Sequence, residues 1–211
     1  MKIALINGSP KVKNSASEIV LKELKKLIDD KHEILDYCFN KCEVDAEEIK
    51  EIGECNSIVF TFPLYVDGIP SNLLSCLYQM ENYFKTEKNK DIKVYAIINC
   101  GFFEGHQATI ALEMIENWCL KAGLSWGRGI GIGGGGMLYL LSTIPAGNGP
   151  WKNLHTDLKT LADNIPSNSS SENIFVSPSF PRFAYKAAAE AGWRKAVKSN
   201  GLKREDLFTR K

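Results

Sequence analysis

Apolar residues fall in short runs separated by stretches of helical spacing, and the alternation repeats along the chain. Ile3 to Ile6 is an apolar run of strand length, and Gly8, Pro10 and Asn14 punctuate the polar loop after it. Ile19, Leu21, Leu24, Leu27 and Ile28 then recur at helical spacing to about residue 30. Glu33 to Tyr37 reads as a short strand, residues 45–54 as an acidic helix, and Ser57 to Phe62 as a buried strand. A turn from Pro63 to Pro70 leads into a helix carrying Leu73, Leu74, Leu77, Tyr78 and Tyr83. Ile92 to Asn99 is apolar on both faces and ends at Cys100-Gly101. The helix expected over 106–122 places Ile110, Met114, Trp118 and Leu120 near one face and stops at Gly123. Trp126 to Ile132 supplies a fifth strand, and Pro150 opens a helix over 150–164. Five strands alternating with helices predict a parallel α/β sheet with helices on both faces.

Residues 165–173 are polar and turn-rich and read as a linker. The expected division is a domain over 1–165, then a linker and C-terminal helical extension over 166–211. The extension carries Phe175, Phe180, Phe183, Tyr185 and Trp193, and from Ser177 onward nine Lys/Arg stand against three Asp/Glu. A helix that packs its aromatics on its own domain or at a dimer contact is favoured over a membrane role.

Composition narrows the class. Over 211 residues, 26 Lys+Arg nearly cancel 25 Asp+Glu, so no global field points to nucleic acid. No signal peptide and no apolar run of membrane-spanning length are present, so a soluble cytoplasmic protein without a membrane partner is expected. The six cysteines (Cys38, Cys42, Cys55, Cys76, Cys100 and Cys119) include no C-x-x-C, and packed, reduced thiols are expected rather than metal ligands.

Ligands of an open parallel sheet bind outside the carboxyl ends of its strands. Three loops fall there. The first, Ser9 to Ser17, delivers N–H groups, hydroxyls and Lys11 or Lys13 to a helix start, which suits a phosphate. It lacks Gly-x-x-x-x-Gly-Lys and Gly-x-Gly-x-x-Gly, so one terminal phosphate monoester fits better than a triphosphate or a pyrophosphate. The second, Pro63 to Pro70, is rigid, aromatic and glycine-bearing; the third, Asn99 to His106, adds aromatics and exposed amides. A phosphate at one end and a flat heteroaromatic ring at the other describe flavin mononucleotide (FMN).

The ordered set of Gly8-Ser9-Pro10-Lys11 with Asn14-Ser15-Ala16, Thr61-Phe62-Pro63-Leu64-Tyr65 with Gly68-Ile69-Pro70-Ser71, and Asn99-Cys100-Gly101-Phe102 resembles the NAD(P)H-dependent FMN reductase branch of the flavodoxin-like fold. The tail, with Gly192-Trp193-Arg194-Lys195, is similar to extensions in clostridial-type members. The resemblance implies a three-layer sandwich with a five-stranded parallel sheet in the order 2-1-3-4-5 and a homodimer. It implies that Ser9, Lys11, Asn14, Ser15 and Ala16 hold the FMN phosphate. Pro63, Leu64, Tyr65, Val66, Asp67 and Gly68 would line the isoalloxazine, and Asn99, Cys100, Gly101 and Phe102 would close its other side. Hydride would pass from NAD(P)H through FMN to a small-molecule acceptor such as a quinone, free flavin or nitro compound, with no protein acid or base required. Related iron–sulfur flavoproteins carry a cysteine cluster between strands two and three; only Cys38 and Cys42 stand there, so no metal centre is expected. The alternative is a flavodoxin-type electron carrier or an FMN-binding redox sensor without nicotinamide turnover.

Two further motifs compete for attention. Gly131 to Gly136 formally matches Gly-x-Gly-x-x-Gly, with Asp157 beyond it, but no capped helix and second strand come after it, so a flexible loop is expected. His106 beside Glu104 reads as a cap or surface group rather than an acid–base pair.

Overall fold

The computed structural model describes residues 1–86 and 91–209. It forms two compact units, Met1–Pro178 and Ser179–Lys211.

Alternation of side chains along the strands builds the first unit. In β1 (Lys2–Asn7), Ile3 and Leu5 point to one face of the sheet and Ala4 and Ile6 to the other. β2 (Glu33–Cys38) flanks β1 at the sheet's edge, and β3 (Ser57–Pro63), β4 (Lys93–Asn99) and β5 (Ser125–Ile132) repeat the two-sided burial. Buried on both faces, these strands must be covered twice. Helices α1 (Ala16–Leu27) and α5 (Lys152–Asn164) cover the face carrying Ile3, Leu5, Val59 and Ile97. Helices α2 (Ala46–Ile52), α3 (Ser71–Thr86) and α4 (Thr109–Ala122) cover the face carrying Ile6, Phe60 and Ile98. The result is the three-layer sandwich expected.

Among the described residues the sheet has six parallel strands in the order β2-β1-β3-β4-β5-β6, one more than the five expected. The added strand, β6 (Ile174–Val176), pairs with Ile130–Ile132 of β5. Three residues are too few to show a period, so the sequence pattern does not reveal it. Residues 166–173, expected as a linker, belong to the first unit and are tied to it along their length. The buried Tyr95 hydroxyl donates to the carbonyls of Asn164 and Ser169 at 3.1 and 2.9 Å. Ser171 N–H donates to Gly127, Arg128 Nε donates to the Glu172 carbonyl, and Asn173 Oδ1 accepts from Gly129 N–H at 2.7 Å.

The expected apolar face of α4 is also corrected. Ala111, Leu112, Ile115, Trp118 and Cys119 are buried, whereas Ile110 (57% exposed) and Leu120 face outward. Trp118 fixes this rotation: its indole N–H donates to the Leu77 carbonyl on α3 at 2.8 Å. Gly123, in the left-handed conformation, ends the helix as expected.

The second unit consists of α6 (Arg182–Ser199) and a 3₁₀ turn over Arg204–Phe208, with Phe183 and Trp193 exposed. Among the described residues no helix is long and apolar enough to cross a membrane.

Candidate functional site

The chain leaves β1 toward β2 through α1 on one face and leaves β3 toward β4 through α3 on the other. The carboxyl ends of β1 and β3 therefore flank the switch in strand order, where such sheets bind ligands. Backbone hydrogen bonds lock the three loops there into one rim. Gly8 N–H donates to Thr61, Leu64 N–H to Asn99, and Cys100 N–H to Ile132, each at 2.8 Å.

The first loop is shaped around the start of α1. Asn14 takes a left-handed conformation (φ 53°), which asparagine tolerates better than most residues and which turns the chain into the helix. Ser15 caps the helix by accepting from Glu18 N–H at 3.0 Å, leaving its O–H as a donor. The N–H groups of Ala16 and Ser17 lie in the first turn and have no intrahelical acceptor. Ser9 is buried and clamped: its N–H donates to Asn7 Oδ1 at 3.1 Å, and its hydroxyl accepts from Lys11 N–H at 3.3 Å. Lys11 Nζ curls back to the Asn14 carbonyl at 3.0 Å, keeping its charge over the loop. Ser9, Lys11, Asn14, Ser15 and Ala16 are thus gathered around one helix N-terminus, a donor set suited to a phosphate. The helix also places an anion of its own there. The Glu18 carboxyl is held below its ordinary range, first by Lys22 and then by the backbone amides of Asn14 and Ser15.

The second loop is a closed two-residue turn. Tyr65 and Gly68 exchange hydrogen bonds at 3.1 and 3.0 Å, and Val66 (φ 49°) and Asp67 (φ 61°) are both left-handed. A β-branched residue at such an angle is strained, and Val66 gains nothing from burial, since its side chain is wholly exposed. Strain of this kind concentrates at ligand-binding turns. Pro63 and Leu64 sit half-buried at its base and Tyr65 is half-exposed.

The third loop divides its residues between support and surface. Asn99 is buried, with Nδ2 donating to Ser17 Oγ at 2.8 Å and to the Phe62 carbonyl at 3.1 Å, so it ties α1, β3 and β4 together. Cys100 is also buried, its thiol turned toward the carbonyls of Phe102 and Glu104 and raised above its ordinary value by burial. Gly101 and Phe102 form the exposed part.

The glycine-rich segment after β5 braces this loop from behind. A Cβ on Gly133 would lie 2.1 Å from the Phe103 carbonyl oxygen, and one on Gly135 would lie 2.8 Å from that of Cys100. Gly135–Ser142 then forms a 3₁₀ turn rather than the flexible loop expected, with Leu138 buried. Asp157 lies on α5, where burial raises its carboxyl and Arg128 opposes the shift. His106 stacks on Phe175 of β6, ring centres 4.2 Å apart, a packing role.

Two residues outside the expected set position the site. Asn7 holds Ser9, and Asn72, buried at the start of α3, donates from Nδ2 to the carbonyls of Gly8 (3.1 Å) and Phe39 (2.6 Å). The one sequence signal for Asn72 is an asparagine at the opening of an apolar-patterned helix. Beside the first loop a hollow of about 350 Å³ opens between α1 and the end of β2, lined by Val12, Leu21, Lys22, Tyr37 and Cys38 among others. Among the described residues no group of three or more His, Cys, Asp and Glu side chains is placed to hold a metal ion.

No protein-family model matches the chain, and no curated protein matches it in sequence. Solved structures do. The NAD(P)H:quinone oxidoreductase from Methanothermobacter marburgensis is similar at TM-score 0.57 and 16% identity, over 78% of this chain and 96% of that one. A flavodoxin, WrbA-like protein from Agrobacterium tumefaciens matches at TM-score 0.54 and 7% identity, over 79% and 98%. A short-chain flavodoxin associated with a PDU bacterial microcompartment matches at TM-score 0.51 and 13% identity, over 81% and 100%. At such identities the likeness is one of architecture, and the architecture of this chain is the flavodoxin-like fold, extended by a sixth strand.

Proposed function

We propose that the protein is an FMN-dependent oxidoreductase that takes hydride from NAD(P)H and passes reducing equivalents to a quinone, free flavin or nitro-type acceptor. The observation that carries this reading is the pairing, on one rim, of a helix start with open amides and a strained, solvent-facing turn. Ser9, Lys11, Asn14, Ser15 and Ala16 would hold the phosphate. Pro63 to Gly68 would lie along the ring system, with Gly101 and Phe102 facing it across the rim and Asn99 and Cys100 supporting from beneath. When bound, FMN supplies the hydride acceptor and donor chemistry. The chain's part is to orient the ring, offer amides from the turn and exclude water with Tyr65 and Phe102. A visible spectrum tests the proposal: flavin bands should form on adding FMN, bleach with NADPH or NADH, and return with a quinone. Saturable binding without bleaching would replace the enzyme by a carrier or sensor, and no binding at all would refute the cofactor.

Glu18 sharpens the test of the phosphate loop. Its carboxylate competes with an incoming phosphate for the Asn14 and Ser15 amides. Glu18→Gln is therefore expected to tighten FMN binding severalfold, for about 1 kcal/mol of relieved repulsion. Asn14→Ala with Ser15→Ala is expected to weaken it. Fluorescence titration reads both, and equal affinities in wild type and folded variants would remove the phosphate from this loop.

The same proposal includes a homodimer. Leu74 and Tyr78 on α3 and Ile110 on α4 are exposed, and Met114 lines a groove between these helices. Sedimentation at micromolar concentration should give a dimer that Leu74→Glu with Ile110→Glu dissociates; a wild-type monomer would refute it.

A further inference from the structure

Cys42 and Cys76 lie far apart in sequence but meet where the loop after β2 crosses α3. The Cys42 carbonyl accepts from Ser75 Oγ at 2.7 Å and from Gln79 Nε2 at 2.8 Å. The preceding carbonyl, of Lys41, accepts from the Cys76 thiol at 3.3 Å. Both peptide units flanking the Cys42 Cα are therefore bound to the stretch of α3 that carries Cys76. Within a planar peptide the carbonyl oxygen lies about 2.8 Å from the next Cα, which puts the Cys42 Cα within about 6 Å of the Cys76 sulfur. In a disulfide each sulfur lies about 4 Å from its partner's Cα, so rotation of the Cys42 side chain and a shift of about 2 Å bring the two sulfurs to bonding distance.

Their environments differ in the way a reactive and a resolving thiol differ. Cys42 is exposed, whereas Cys76 is fully buried. Burial, with a smaller contribution from the neighbouring Cys42, pushes the Cys76 thiol up to about 11, so Cys76 stays protonated while Cys42 meets solvent. Cys38 is exposed too, but desolvation of its sulfur and then the Glu18 carboxylate hold its thiol above the ordinary value.

We infer that Cys42 and Cys76 form a peroxide-oxidisable pair, with Cys42 reacting first and Cys76 closing a Cys42–Cys76 disulfide. The oxidant is a hydroperoxide. The Cys42 thiolate attacks its terminal oxygen, the O–O bond breaks, and the alkoxide or hydroxide leaves and takes a proton from solvent. Cys42 then carries a sulfenic acid. The Cys76 sulfur attacks the Cys42 sulfur, the S–O bond breaks, and hydroxide leaves as water with the proton from Cys76. Two thiols and one hydroperoxide become one disulfide, one alcohol (or water) and one further water. The cross-link fastens the segment after β2 to the helix whose first turn, through Asn72, holds Gly8 at the head of the phosphate loop.

This inference does not depend on the flavin, and its test needs none. The reduced full-length chain is treated with one equivalent of hydrogen peroxide without air, free thiols are blocked, and peptides are mapped by mass spectrometry. The expected product has lost two hydrogens, carries a single Cys42–Cys76 link and reverts with dithiothreitol. Cys38→Ser should cross-link as wild type does, and Cys76→Ser should leave a Cys42 sulfenic acid that dimedone traps. A Cys38–Cys42 link in the wild type, oxidation of Cys42 beyond sulfenic acid with Cys76 still free, or an unreactive Cys42 would each overturn the pairing. The wild-type map alone decides the question should the Cys76→Ser chain fold poorly.

Discussion

Gly133→Ala is expected to lower the thermal midpoint by about 6–12 °C and to weaken FMN binding together with it. The new Cβ would lie 2.1 Å from the Phe103 carbonyl oxygen, 2.6 Å from its carbon and 2.8 Å from the Glu104 carbonyl carbon. All three are backbone atoms, so no side-chain rotation relieves the clash. Either β5 or the loop after β4 must move. Each is held: Gly133 N–H donates to Val176 at 2.9 Å, and Gly134 N–H donates to Phe102 at 2.5 Å. A forced shift of this kind costs on the order of 3 kcal/mol, and each kcal/mol lowers the midpoint of a domain this size by about 2–4 °C. The displaced segment includes Phe102, so the side of the rim proposed to face the ring should loosen as well. Gly136→Ala is the control, because a Cβ there meets nothing within 4 Å. Equal midpoints for the two variants, measured by calorimetry, would show that the close approach is not what holds the rim.

The second large effect belongs to Asn72. Asn72→Ala removes the one amide that donates to both Gly8 and Phe39, in a position only 6% exposed. Leaving buried carbonyls without their donor costs about 2–4 kcal/mol in sum. The loss appears as a lower urea midpoint. A part appears as a freer Gly8, and if about 1.4 kcal/mol reaches the loop, FMN affinity drops roughly tenfold. A folded Asn72→Ala chain with unchanged FMN affinity would mean that Asn72 serves the scaffold alone and that the loop's shape is set by Asn7 and Thr61.

The parts of this molecule that are legible in its sequence are those where one physical rule dominates. Two-sided burial makes β1, β3, β4 and β5 readable, and Pro150 and Gly123 mark helix ends through fixed dihedrals. The three loops are legible as loops because strand ends in a parallel sheet share an edge. What each residue does within them is not. Asn99 reads as a wall of the site, yet its amide is taken up by Ser17 and Phe62, a pairing across distant sequence positions. Ile110 and Leu120 look like core residues by type but lie outside the stripe that the Trp118–Leu77 hydrogen bond turns inward. The glycines after β5 mimic a nucleotide motif because close backbone approach and phosphate approach ask for the same missing Cβ. The 166–176 stretch escapes because its order comes from scattered side-chain and backbone hydrogen bonds and a three-residue strand, which leave no periodicity.

That stretch also decides where the chain can be cut. β5 would be the last strand of a protein ending at Ile165, with the N–H and C=O groups of Gly127 to Ile132 unpaired along one margin. Such a margin recruits strands from other molecules. The polar residues 166–173 and the three apolar ones behind them act as a cover: Asn173 and Ser171 take up backbone groups of β5 by turns, and β6 closes the remainder in only three residues, too short to template a further strand. A chain shortened to Ile165 would therefore keep every element of its helical layers and still precipitate, whereas one shortened to Pro178 would stay dispersed.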